Sequence, residues 1–415
     1  MWPNFIIRND RIMWFSYNRV RRFCAFTIGA VFFVSGLLKL MDPVGAGLVI
    51  SEYYGFFGTD FLQATSLPAG FVLALSETVL GAALMTGLWR RIVAVVTIVF
   101  LAAFTLLTAV LVIFNPEMDC GCFGEAVHLT HFQSLVKNIV LCVLAAVAFT
   151  PLNRLGRPKR RKYVAFGIVA SAVAAFGIYS LLYIPLVDFT DYRPASRLAA
   201  SDSGSSEMYD ATFIYEKDGR QESFTLDNLP DSTWTFVRTE TVRTDPAEGT
   251  RPVLSFTDAG GEYRDYLAAS GDVMILSVYD PAKVSEKKWM KTASLLPAAI
   301  DAGYHPIILV PGDYGTLSDS LEGRIPEETA DAILQSAYFA DYKTIITLNR
   351  SNCGATCFHD GYLIRKWSFR NLPSAEELAR IAAENVDETV VETTTAGQVG
   401  FQAFVLAAFA VIFFI

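Results

Sequence analysis

The chain has 415 residues, of which 52% are hydrophobic and only 18% are charged. That is too apolar for an ordinary soluble protein of this length. The net charge of −8 falls mostly after residue 187, which argues against nucleic acid as a partner.

In chain order, the apolar residues gather into six runs, 23–40, 67–88, 92–114, 133–150, 163–184 and 399–415. Each is near the ~20 residues that cross a bilayer as a helix, and the last is the shortest. Membrane lipid is therefore the first expected partner. The first run has basic residues before it but continues into Lys39-Leu40-Met41-Asp42-Pro43 with no small-residue cleavage site, so it reads as a retained anchor. Lysine and arginine set the orientation. Arg8, Arg11, Arg19, Arg21 and Arg22 precede the first run. Arg90 and Arg91 follow the second, and Arg154, Arg157, Lys159, Arg160, Arg161 and Lys162 lie between the fourth and fifth. Loops 41–66 and 115–131 carry no lysine or arginine. The basic loops are then cytoplasmic, and the other two loops and residues 187–398 are external.

The expected organisation has five parts. Residues 1–150 form a four-helix membrane bundle, and 151–190 a basic cytoplasmic link with a fifth span. Residues 191–250 hold a Ser/Ala/Gly-rich linker at 195–208 and a β-hairpin. The hairpin joins 212–216 to 222–226 through Lys217-Asp218-Gly219-Arg220. Residues 251–390 alternate strands and helices, the order of an α/β fold. Strands are expected at 273–278 and 305–310, and helices at 286–302, 326–338 and 374–385. A hairpin is expected around Asp360-Gly361. Residues 391–415 would be a tether and a last span, the acidic tether beginning near 386.

Chemistry concentrates in Asp119-Cys120-Gly121-Cys122-Phe123-Gly124, between the third and fourth runs. A close dithiol facing the oxidising side of a membrane suggests redox work, because thiolates attack disulfides. A static disulfide pinning the loop is the plainer alternative. Asp119 and Glu125 are expected to raise the thiol pKa by like-charge repulsion, with Lys137 partly offsetting them. His128 and His131 follow, so Cys120, Cys122, His128 and His131 form a further alternative, a metal set suited to zinc or copper. Glu77 lies inside an apolar run, where an ionisable group is expensive and faces a partner or a cavity. Lys39 sits at the outer end of the first run, as a snorkelling residue or a partner for such a site. Cys24 and Cys142 read as packing thiols, and Cys353 and Cys357 as two partly buried thiols, with a bond from Cys353 to Cys120 or Cys122 across the domains as the alternative.

Ser35-Gly36-Leu37-Leu38-Lys39 with Asp42-Pro43, Glu77 with Gly81 and Gly87, and Cys120-Gly121-Cys122-Phe123-Gly124 together resemble the MauE/DoxX group of redox-associated membrane proteins. The resemblance implies a four-helix membrane bundle linked to electron transfer or to disulfide formation in exported proteins. Residues 250–386 resemble a thioredoxin-like domain, but the place of its Cys-x-x-Cys pair reads Tyr279-Asp280-Pro281-Ala282-Lys283-Val284, and Cys353 stands where a cis-proline is usual. The whole resembles Bacteroidetes-type DoxX proteins fused to such a degenerate domain. The expectation is a multi-pass protein of the bacterial inner membrane with a periplasmic domain. Cys120 and Cys122 would exchange electrons between external thiols and a membrane carrier such as a quinone, with Glu77 and Lys39 serving proton balance or carrier binding. The alternative is a non-catalytic scaffold that holds a periplasmic protein client.

Overall fold

A computed structural model of the chain describes residues 3–88, 90–150, 159–199, 210–217, 220–224, 234–242, 252–384 and 386–414. The link at 151–158, the expected linker from residue 200 onward and the Asp218-Gly219 turn lie outside the described residues.

The first half is helical: α1 (Pro3–Met41), α2 (Pro43–Phe56), α3 (Ser66–Thr86), α4 (Arg90–Phe114), α5 (His131–Phe149) and α6 (Arg160–Leu182). Among the described residues, five stretches are long and apolar enough to cross a membrane, namely Tyr17–Met41, Asp60–Thr86, Arg91–Phe114, His131–Phe149 and Arg160–Leu182. They coincide with the first five runs. Val99, Leu106 and Ile113 on α4 and Val140 and Val143 on α5 are exposed, as faces that meet lipid chains must be. Helices α1 and α3 cross closely because glycines face the contact. A Cβ on Gly36 would lie 2.5 Å from the Thr78 nitrogen, and one on Gly81 would lie 2.4 Å from the Phe33 nitrogen. Small residues let backbones approach in this way.

The sixth run differs from expectation. The segment read as an acidic tether is helical and continuous with the apolar end, in one helix from Val386 to Phe414 whose apolar part, Val399–Val411, is shorter than the five spans. Elongating a formed helix adds one hydrogen bond per residue, and its end is anchored. Phe404 stacks on Phe176 of α6 at 4.8 Å between centroids, and Phe409 meets Phe33 of α1 edge-on at 5.9 Å.

Strands β1 (Asp210–Lys217), β2 (Arg220–Phe224) and β3 (Thr235–Val242) form a small antiparallel sheet in the order β2-β1-β3. The expected hairpin is β1–β2; β3 was not anticipated. The C-terminal domain follows with α7 (Tyr266–Ala269), β4 (Asp272–Ser277), α8 (Glu286–Ala293), α9 (Leu295–Asp301), β5 (His305–Val310), α10 (Tyr314–Leu321), α11 (Glu327–Gln335), β6 (Ala337–Phe339), α12 (Tyr342–Leu348), β7 (Gly354–His359), β8 (Tyr362–Trp367) and α13 (Ala375–Ala383); the helix from Val386 is α14. Its sheet order is β6-β5-β4-β7-β8, with β4, β5 and β6 parallel and β7 and β8 antiparallel. Without the edge strand β6, this is the arrangement the thioredoxin resemblance implies. Alternate residues of β4 and β5 serve two cores. Met274, Leu276 and Ile308 pack with Trp289 and Trp367, while Ile275, Ile307 and Leu309 pack with Phe358.

Three local expectations are corrected. The helix expected over 286–302 breaks at Ser294, because Pro297 has no N–H and its ring crowds the carbonyl of Ala293. The helix expected over 326–338 ends at Gln335, and Tyr338 pairs with Leu309 in β6 instead. Residues 195–199 are not a free linker: Ala195 donates to the Leu363 carbonyl, and buried Leu198 donates to that of Gly361. They cover the outer edge of β8, whose backbone groups would otherwise be unpaired. At the β7–β8 turn, Asp360 (φ 47°) and Gly361 (φ 76°) both take positive φ, as a two-residue hairpin requires.

Candidate functional site

Ser35 and Lys39 lie four residues apart, on one face of α1. The glycine-mediated crossing brings Glu77 of α3 opposite them. Lys39 Nζ lies 2.6 Å from Glu77 Oε2, with the two side chains 9% and 3% exposed. The same ammonium donates to Ser35 Oγ at 3.3 Å. Lys39 is therefore not a snorkelling residue. It is a buried cation neutralised by a buried anion, the arrangement that an ionisable pair in an apolar bundle requires.

Ser35 joins this pair to the cysteine loop. Its hydroxyl lies 2.6 Å from the Cys122 carbonyl and 3.2 Å from Glu77 Oε2. From the other side, the Tyr53 hydroxyl of α2 donates to the Cys120 carbonyl at 2.9 Å. Between the cysteines, Gly121 takes φ 59°, and a Cβ there would lie 2.4 Å from a methyl of Val49. Only glycine satisfies both demands. The loop is thus clamped by α1 and α2, and α5 adds a third contact: Ser134 Oγ lies 2.9 Å from Cys120 Sγ.

Both cysteines are free thiols, and their surroundings separate them. The Cys120 thiol hydrogen-bonds to Cys122, which lowers the Cys122 pKa to about 5; Lys137 and Lys39 add attraction against the cost of burial. The same bond, with burial, raises Cys120. The expected rise from Asp119 and Glu125 does not govern Cys122, because both carboxylates are engaged elsewhere. Asp119 pairs with His128 at 3.0 Å, and Glu125 with Arg350 at 3.1 Å. Cys122 is the better nucleophile of the pair, and Cys120 stands beside it as proton donor and second sulfur.

A cavity of about 620 Å³ opens beside this loop. Cys120, Cys122, Lys39, Glu77 and Ser35 all line it, together with Tyr53, Lys137 and Asn138. Most of its wall is apolar, contributed by residues such as Val31, Phe32, Leu73, Phe104 and Leu141. The four residues singled out in the sequence share one site. The alternative metal set is not brought together: His128 turns to Asp119, and His131 Nε2 to the Pro116 carbonyl at 3.1 Å. Among the described residues, no group of three or more His, Cys, Asp or Glu is placed to hold a metal ion.

The α/β domain contributes no second dithiol. The turn after β4 is a short 3-10 segment, Pro281–Lys283, capped by Asp280. Cys353 and Cys357 lie in the domain core, where burial raises the Cys353 thiol to about 11 and also raises Cys357. Ser35, Tyr53 and Ser134 were not identified as site residues from sequence. Ser35 carried a signal in its four-residue spacing from Lys39; the other two act through contacts no local pattern encodes.

Residues 17–151 match the family model of methylamine utilisation protein MauE, and residues 209–244 match a domain of unknown function, DUF8463. The chain is thus a multi-pass membrane protein with a MauE-type domain and a thioredoxin-like α/β part. Among curated proteins it is similar to Protein TlpB of Flavobacterium psychrophilum, 24% identical over 155 residues. That match covers 37% of this chain and 38% of the relative. No solved structure matches the chain.

Proposed function

We propose that this membrane redox-associated protein is a thiol–disulfide component of a bacterial inner membrane, with its α/β domain on the periplasmic side. It would pass electrons from external protein thiols to an apolar carrier of the quinone class. The observation that carries this reading is one cavity lined by Cys120, Cys122, Lys39 and Glu77. In the proposed cycle, the Cys120–Cys122 disulfide takes two electrons from a client dithiol. The client becomes a disulfide, and both cysteines are reduced. Cys122, favoured as thiolate by Cys120 and Lys137, then returns the two electrons to a quinone seated against it, with two protons, and the disulfide re-forms. Lys39 and Glu77 would handle those protons, a role that their pairing at 2.6 Å beside the loop supports. The test is thiol trapping in intact cells with a membrane-impermeant reagent. Cys120 and Cys122 should be oxidised during respiration and reduced when it is blocked. If they hold one state throughout and serine variants function normally, the redox reading fails.

One observation favours a second reading. The turn at 279–284 carries no cysteine, so the α/β domain cannot form a mixed disulfide there. A non-catalytic scaffold that holds an exported client would need none.

A further inference from the structure

We propose that the α/β domain is an internal clasp on the dithiol loop, with Arg350 as the gripping residue. Arg350 lies in the turn between α12 and β7, and its side chain is only 5% exposed. Its guanidinium reaches two carboxylates of the membrane domain. Asp42 Oδ2 lies 2.9 Å from Nε and 2.8 Å from Nη2, and Glu125 Oε1 lies 3.1 Å from Nη2. Nη1 donates to the Ile346 carbonyl within its own domain.

These two carboxylates frame the loop. Asp42 caps α2, the helix whose Val49 and Tyr53 hold Gly121 and Cys120. Glu125 lies in the short helical turn Gly124–Ala126, just after Cys122. One guanidinium therefore ties together the support of Cys120 and the exit of Cys122, and its planar fork suits this double engagement. Without it, Asp42 and Glu125 are neighbouring like charges that repel, and the loop opens. Two further pairs close the same joint. Lys366 of β8 meets Asp188, in the segment after α6, at 2.6 Å and nearly buried; Lys343 of α12 meets Glu52 of α2 at 2.7 Å on the rim. The α/β domain, which has no reactive dithiol, thereby acquires a role: its docking sets how far Cys122 is exposed. This deepens the redox reading, and takes its meaning for turnover from it, but its readouts below do not involve turnover.

The test uses the full chain in lipid nanodiscs. A carbodiimide couples the Lys343 ammonium to the Glu52 carboxylate, forming an amide as the reagent takes up the lost water, and so reports docking. Alkylation of Cys122 by iodoacetamide, followed by peptide mass spectrometry, reports the loop. In Arg350→Ala, coupling should fall at least about fivefold and Cys122 alkylation should rise about tenfold, since Asp42 and Glu125 have lost the cation that contacts both of them. Arg350→Lys should lie between. Coupling retained in Arg350→Ala, or lost with Cys122 alkylation unchanged, overturns the clasp. Continued protection of Cys353 and Cys357 shows that the α/β core is intact. If they become reactive, Glu125→Gln decides, because it leaves the α/β domain untouched: faster Cys122 alkylation supports the clasp, and an unchanged rate refutes it. Should the cysteines prove redox-silent in cells while these shifts occur, the redox reading falls and the clasp stands.

Discussion

Consider removing one member of the Lys39–Glu77 pair. The side chains are 9% and 3% exposed and 2.6 Å apart, so the magnitude belongs to the buried class. A surface pair contributes about 0–1 kcal/mol, whereas breaking a buried one costs about 3–5 kcal/mol, because a charge is left without its counterion. In Glu77→Gln, the Lys39 ammonium loses its carboxylate partner and keeps Ser35 Oγ, the Phe104 ring, whose centroid lies 5.8 Å away, and the longer-range attraction of Cys122. In Lys39→Met, the Glu77 carboxylate keeps the Ser35 hydroxyl at 3.2 Å. Each single variant should lose about 3 kcal/mol or more, while Lys39→Met/Glu77→Gln should fall within about 1–2 kcal/mol of the parent, because a neutral pair has no charge to desolvate. Unfolding free energies of the full chain in bicelles measure this. Single costs under about 1 kcal/mol, or costs that simply add in the double variant, would refute the reasoning. The stable double variant then serves function: if electron transfer survives in it, the pair only holds the helices together.

The bond from Cys120 and the nearby lysines hold Cys122 below the ordinary thiol range, so its alkylation rate, which follows the thiolate, should rise with pH and reach half its maximum below that range. Cys120→Ala should move that midpoint up further than Lys137→Met, because the hydrogen bond from Cys120 is the larger cause and the lysine charge a smaller one; the reverse order would contradict the assignment. Gly121→Ala faces both φ 59° and the Val49 methyl, so it should cost about 1–2 kcal/mol from backbone conformation alone. Pairing it with Val49→Ala should recover only the steric excess, read as thermal stability beside Cys122 alkylation.

Much of this molecule is legible in its sequence, for identifiable reasons. A span must be continuous and apolar, so five spans stand out as runs. Cys120, Cys122, Glu77 and Lys39 stand out because each is chemically out of place in its segment. Their relation is not legible. Glu77 and Lys39 lie 38 positions apart, and only the crossing at Gly36 and Gly81 makes them partners. The thiol asymmetry was hidden for a similar reason. Counting nearby charges makes Asp119 and Glu125 dominant, but His128 and Arg350 occupy them, and Lys39 of α1 joins Lys137 in attracting Cys122. Arg350 lies 308 positions from Asp42, beyond any local signal. The split at Ser294 was legible in principle, from Pro297 and its i−4 carbonyl, but helical periodicity masked it.

The distribution of thiols divides the work between the two domains. Cys353 and Cys357 are held in the α/β core, where burial favours their protonated forms, and a protonated buried thiol is neither nucleophile nor ready leaving group. Cys122 is partly accessible and favoured as thiolate. On the proposed redox reading, exchange with a protein thiol would therefore take place at the loop, under the α/β domain and not upon it. The carboxylates on the dithiol side of this joint, Asp42, Glu52 and Glu125, are each met by a cation from the α/β domain. On the same reading, a client approaching Cys122 would share or displace those cations, so an acidic segment beside the client's cysteine would compete for Arg350 and open the loop as it binds.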